Sequence, residues 1–136
     1  MTTLVDTSVW SLALRRPASQ VSAMHAVRHL ESLLNDASVV IIGPIRQELL
    51  SGISDQTQFD QLRTRLAYLP DQPIDPGDYV TAAAFSNTCR RHGVQGSHTD
   101  FLICAVAARN KWPILTTDAD FARYAKFIPI DICDAT

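Results

Sequence analysis

The sequence has only three cysteines, Cys89, Cys104 and Cys133, an odd number with no CxxC spacing. That argues against a disulfide framework and against a thiolate zinc site, and it points to a reducing compartment. No apolar run reaches the ~18 residues that a membrane span needs. The start, MTTLVDTSVW, lacks a positive segment followed by a long apolar stretch, so no signal peptide is expected and the protein is read as cytoplasmic, with no membrane partner. Charge of one sign is also missing. Twelve basic residues stand against fourteen acidic ones, for a formal charge of −2 and a pI near 6.0. Taken as a sum, that balance speaks against a nucleic-acid partner, which usually wants a basic surface.

What is present is globular. At 136 residues the chain suits one domain with a real core, and no repeat, low-complexity tract or long linker divides it. The richest turn segment, Pro70 to Gly77, is short enough to be a connection.

The pattern alternates strand and helix. Thr2 to Asp6 reads as a short strand ending in an acid. Thr7 to Leu14 opens a short helix, stopped before Arg16-Pro17. From Ser19, a candidate N-cap, the residues Val21, Met24, Val27, Leu30, Leu33 and Leu34 recur at helical spacing. Ser38 to Ile42 is β-branched and apolar on consecutive positions, the pattern of a strand buried on both faces. Pro44 begins a helix that Gly52 ends, and Ser54 or Asp55 caps another reaching Leu66. A weak strand is expected at Ala67 to Leu69. Asp75 caps a helix with Pro76 at its first position, running to Arg91 and stopping at Gly93. Asp100 to Arg109 is helical, Pro113 to Thr116 a strand, Phe121 to Ala125 a short helix and Phe127 to Ile132 a last strand. Strands separated by helices imply parallel pairing through crossovers, hence a three-layer α/β/α sandwich with a mostly parallel sheet.

The acids are distributed with some order. In open parallel sheets, ligands bind beyond the carboxyl ends of the strands. Asp6 closes the first strand and Asp118 follows Ile114-Leu115-Thr116. Asp100 opens a helix, where the dipole favours a carboxylate. Glu48, one of only two glutamates, lies within a short helix whose other residues look core-facing. Each acid alone also has an ordinary reading as a helix cap, first-turn residue or solvated side chain. Together they describe carboxylates that would repel one another unless a cation joined them. An oxygen-only set without a His/Cys group suits magnesium or manganese, which can activate water and stabilise the charge of a phosphodiester displacement.

Four segments, Leu4-Val5-Asp6-Thr7-Ser8, Pro44 to Gly52 (PIRQELLSG), Thr99 to Ala105 (TDFLICA) and Leu115 to Phe121 (LTTDADF), resemble PIN-domain proteins, and length and order look most like VapC toxins of toxin–antitoxin pairs. The resemblance covers almost the whole chain, residues 1–136 as a single PIN domain. It implies a Mg2+- or Mn2+-dependent endoribonuclease that cuts RNA and arrests growth. It also implies a homodimer and a small cognate VapB-like antitoxin. By motif position Asp6, Glu48, Asp100 and Asp118 are the acidic, metal-binding quartet. Asp120 matches an auxiliary acid, and Ser8 and Thr116 match hydroxyls that bond the acids or a metal-bound water. His98 falls in a stretch the family varies, so the resemblance assigns it no role. Cys104, where alanine is common, shares the Asp100 helix face and reads as a small buried hydrophobe.

Ten of the twelve basic residues are arginines, which suit bidentate phosphate contacts. Arg15, Arg16 and Arg46 are candidate RNA contacts, as is the pair Arg90-Arg91, against the default of a solvated face. Trp10 could stack on a base, though core or dimer packing is the ordinary role. His25 and His29 are four apart on one helix, but no third ligand lies nearby. Other classes fit less well. A haloacid dehalogenase-type phosphatase needs a second Asp where Ser8 stands, and a receiver domain needs N-terminal acids and a late lysine that are not found. The remaining rival is a catalytically silent PIN-like partner-binding module, which need not respond to manganese. Setting the four proposed ligands aside leaves ten acids against twelve bases, so the opening sum does not exclude RNA.

Overall fold

The computed structural model describes residues 2–14 and 21–133. Strand β1 (Thr3–Val5) leads into α1 (Thr7–Leu14), and α2 (Val21–Asn35) precedes β2 (Val39–Val40). Helices α3 (Gly43–Leu50), α4 (Gln56–Leu66), α5 (Pro76–Arg91) and α6 (His98–Asn110) follow, then β3 (Ile114–Leu115) and α7 (Asp120–Tyr124). The candidate cap at Ser19 lies outside the described residues.

The sheet is parallel, in the order β2-β1-β3. Thr3 pairs with Val39 and Leu4 with Val40 on one side, and Leu4 with Ile114 and Val5 with Leu115 on the other. Flanked on both edges, β1 is buried along its length, as are both residues of β3. The helices pack in two groups: α1 on α2 and α3, with α4 on α3, and separately α5 on α6. This is the α/β sandwich the alternating pattern calls for.

Local sequence explains most helix boundaries. Asp55 accepts a bond from the backbone of Gln58 at 2.9 Å and caps α4. The backbone N–H of Asp75 donates to Oδ2 of Asp78 at 2.9 Å, with Pro76 at the first position of α5. Gly52 and Gly93, at φ +96° and +79°, take the left-handed conformation that ends α3 and α5. Ser97 caps α6 by accepting from the N–H of Asp100 at 3.0 Å, so this helix starts two residues before Asp100.

Three expectations are corrected. Val39 and Val40 are only half-buried in the edge strand β2, whereas Ile41, which continues it by a single bridge to Asp71, and Ile42 are fully buried as expected. Ala67 to Leu69 is a turn: the N–H of Leu69 returns to the carbonyl of Leu66 at 3.0 Å. Phe127 to Ile132 is no full strand, since only Ile132 bridges Ile114. Its apolar residues, Ile128 and Ile130, are buried through turns, which an alternating apolar pattern does not distinguish from extended pairing.

Candidate active site

Asp6 follows β1 directly, its N–H bound to the carbonyl of Leu115 at 2.9 Å, and it is buried. Its Oδ2 gathers donors from two parts of the chain. Ser8 Oγ donates at 2.8 Å and Thr116 Oγ1 at 2.9 Å, with the backbone of Ser8 at 3.4 Å. Each hydroxyl has one proton, and each makes its shorter bond to Asp6. The 3.3 Å separation between the two hydroxyls is therefore a contact between acceptors rather than a further bond. Their lone pairs are used in turn: the N–H of Thr117 donates to Ser8 Oγ at 3.1 Å and that of Asp118 to Thr116 Oγ1 at 3.0 Å. The end of β1 and the segment after β3 are thus tied through one carboxylate oxygen.

Asp118 Oδ1 accepts from the N–H of Asp120 at 2.9 Å at the start of α7. The side chain of Asp120 points elsewhere, into an ion pair with Arg123 at 2.8 Å. Asp100 sits in the first turn of α6, and the Tyr124 hydroxyl donates to its Oδ2 at 2.7 Å. Burial raises the pKa of Asp100 above the usual carboxylate range, and the negative charges of Asp6 and Asp118 push the same way; the Tyr124 and Ser97 bonds oppose them. Burial, and then the bond to Asp100, likewise raises the Tyr124 hydroxyl.

Glu48 stands apart. It is exposed on α3, accepts from Thr7 Oγ1 at 3.0 Å, and lines an open cleft with Thr7 and Thr99, the neighbours of Asp6 and Asp100. The structure therefore brings Asp6, Asp100 and Asp118 into one electrostatic neighbourhood and leaves Glu48 on its rim. Among the described residues, no group of three acid, histidine or cysteine side chains is close enough to form a ready metal site. The donor set still fits a hard cation. Asp6 Oδ1, Asp100 Oδ1 and Asp118 Oδ2 take no hydrogen bond from any described residue, while the second oxygen of each acid is held by a donor.

The proposed RNA contacts fare differently. Arg15 and Arg16 lie outside the described residues. Arg46 is turned inward: Nε donates to Asp71 at 2.8 Å, Nη1 to the carbonyl of Leu66 at 2.9 Å, and Nη2 to that of Leu69. Its guanidinium fixes the turn after α4, so its donors are engaged within the chain. Arg90 and Arg91 are exposed at the end of α5, each near a hydroxyl one turn earlier. Trp10 is buried, which removes it from base stacking. Cys104 is fully buried and its thiol is pushed far up by burial, as befits an inert hydrophobe. His25 and His29 are half-buried on α2, and His98 is exposed at the first position of α6.

Two arrangements had no sequence-level reading. One is the buried Tyr124, whose only hint was that a buried tyrosine needs a partner for its hydroxyl. The other is a fork from Arg109 on α6 to the buried Asp78 on α5, at 2.8 and 2.9 Å, which holds Asp78 below the usual carboxylate range.

The PIN-domain family model matches residues 3–127. Ribonuclease VapC11 of Mycobacterium tuberculosis and a VapC ribonuclease of Mycobacterium bovis are each 33% identical over 120 residues, covering 87% of both chains. Among solved structures, FitAcB from Neisseria gonorrhoeae aligns with a TM-score of 0.76 at 23% identity, and VapBC2 from Rickettsia felis, bound to a DNA fragment from their promoter, with 0.75 at 15%. Each alignment covers 98% of both chains. At these identities the structural likeness concerns the fold.

Proposed function

The chain belongs to the PIN-domain family, and from that membership we propose that it is the toxin ribonuclease of a VapBC-type toxin–antitoxin pair. In this reading it is an endoribonuclease that hydrolyses RNA phosphodiester bonds with Mg2+ or Mn2+, and residues 1–136 act as a single PIN domain in the cytoplasm. Its partners are RNA, a VapB-like antitoxin and a second copy of the chain. Among the described residues no helix is long and apolar enough to cross a membrane.

The observation that carries the reading is the convergence of Asp6, Asp100 and Asp118 from three separate segments, each with one oxygen that no described residue occupies. These three residues would hold the ion, with Glu48 reaching it from the rim. A bound divalent cation supplies charge that orients a phosphate and eases formation of the attacking hydroxide. The chain's own residues do the positioning. Ser8 and Thr116 fix Asp6, and the N–H of Asp120 fixes Asp118, so the acids meet the ligand without rearranging. Attack by water eased by the cation needs no histidine pair as acid and base, and in-line attack of that kind leaves a 5′-phosphate and a 3′-hydroxyl.

The test is cleavage of RNA by the purified chain with Mn2+, with EDTA, and with Asp6→Asn, Asp100→Asn or Asp118→Asn. Activity should require the metal and vanish in each folded variant, and the products should carry 5′-phosphate and 3′-hydroxyl ends. Full activity in EDTA, or a 2′,3′-cyclic phosphate product, would overturn the mechanism.

A further inference from the structure

We propose that Tyr124 is a positioning residue for Asp100, and that Gly96 is part of the same device because it leaves room for the tyrosine hydroxyl; the inference rests on the metal-dependent reading above. Tyr124 is fully buried on α7, yet its hydroxyl reaches across to α6 and donates to Asp100 Oδ2 at 2.7 Å. A buried phenol without a partner is costly, so this bond fixes both groups. The ring is locked independently of the hydroxyl: its centroid lies 4.8 Å from that of Phe101 and 5.3 Å from that of Phe121. Phe101 adjoins Asp100 on α6, and Phe121 adjoins Asp120 on α7. The tyrosine thus ties α6, which carries Asp100, to α7, which begins two residues after Asp118.

Gly96 closes the other side. A Cβ at this position would overlap the Tyr124 hydroxyl, lie 2.6 Å from Cζ of the same tyrosine and 3.0 Å from Cε2 of Phe101. The loop before α6 thus passes over the hydroxyl at a distance only glycine permits, one residue before the Ser97 cap that starts the helix. The consequence for Asp100 is directional. Oδ2 is committed to Tyr124, and Oδ1 is the oxygen left for a cation. Groups that orient a metal ligand in this way typically change metal affinity or activity 10- to 100-fold when removed.

The experiment compares wild type, Tyr124→Phe and Gly96→Ala. Tyr124→Phe keeps the ring and removes only the bond. Mn2+ affinity is measured by calorimetric titration of the metal-free protein, kcat and KM on an RNA substrate, and melting temperature without metal. The expected result for Tyr124→Phe is Mn2+ binding weakened about 10-fold or more and kcat lowered to a similar degree, with KM for RNA little changed and the metal-free melting temperature lowered modestly by loss of the bond. Gly96→Ala should weaken Mn2+ binding in the wild-type background and less in the Tyr124→Phe background, where the hydroxyl and its bond are gone and only the contact with the ring Cζ remains. If wild type binds Mn2+ and cuts RNA while Tyr124→Phe matches it in affinity and kcat, the positioning role is refuted and the nuclease reading stands. A change in melting temperature alone would make the bond merely structural and likewise refute it. If the wild type itself binds no Mn2+, the metal reading falls and this inference falls with it.

Discussion

Thr116 donates its hydroxyl to Asp6 at 2.9 Å across 110 positions of sequence, and that bond joins the strand that starts the chain to the strand formed near residue 115. Thr116 is buried, and its oxygen also accepts from the backbone of Asp118. Thr116→Val keeps the shape but strips one acid of a donor and the next of an acceptor. Cleavage should fall about 10- to 100-fold, and stability by about 1–3 kcal/mol. Thr116→Ser should recover most of both. Rate assays with urea unfolding check this, and a fully active valine variant would refute it.

Asp100 makes the metal-free protein sensitive to pH in an unusual direction. Its folded pKa is raised, first by burial and then by Asp6 and Asp118. Its contribution to stability is therefore present below the unfolded value of about 3.9 and lost as pH rises through the folded value. Without metal, Asp100→Asn should melt above wild type at neutral pH, and the difference should shrink toward zero in acid. Adding Mn2+ should reverse the order at neutral pH. Equal melting profiles for the two proteins would show that neither burial nor the charges of Asp6 and Asp118 disfavour the ionised Asp100.

Asp78 acts in the opposite sense. The Arg109 hydrogen bonds lower its pKa, so its contribution is present above about pH 4 and lost as pH falls through the depressed value. Asp78→Asn should cost about 1–3 kcal/mol at neutral pH and progressively less in acid. Its Mn2+ affinity should be unchanged, because its partner Arg109 lies nine residues along α6 from Asp100, about 13 Å at 1.5 Å per residue. Urea titrations across pH and calorimetry with Mn2+ test the two halves separately.

Arg46 is a structural residue despite lying two positions from Glu48. Arg46→Ala should release the 66–71 turn and destabilise the chain by about 1–3 kcal/mol while leaving RNA affinity unchanged. A binding measurement at moderate salt distinguishes this from a phosphate contact, whose loss would weaken RNA binding and flatten its salt dependence.

Much of this was legible in sequence where the signal is local. Pro76 with Asp75 announced α5, and Asp6 at the end of an apolar run announced the carboxyl edge of β1. The hydroxyl positions Ser8 and Thr116 were legible only through family resemblance, since nothing near Thr116 says that it meets residue 6. Tyr124 was not legible, because its partner lies 24 residues away on another helix and the pairing exists only after α6 and α7 dock. The internal bonds of Arg46 were not legible, because an arginine beside an acid has the same local appearance whether it faces a phosphate or a backbone turn. The Phe127 to Ile132 segment misled for a related reason: apolar alternation records burial and says nothing about whether a sheet edge is there to receive it.

The position of β1 between β2 and β3 has a consequence for how the protein comes into being. The ribosome makes β1 before either of its neighbours, and the second of them is not synthesised until Ile114 and Leu115. Pairing at such sequence distance is slow to form and has no local substitute. A nascent chain interrupted before that point carries Asp6 without Thr116 or Asp118, and so has no place where the three acids meet. The three acids therefore come together only late in synthesis, once the segment that follows β3 has docked against the end of β1.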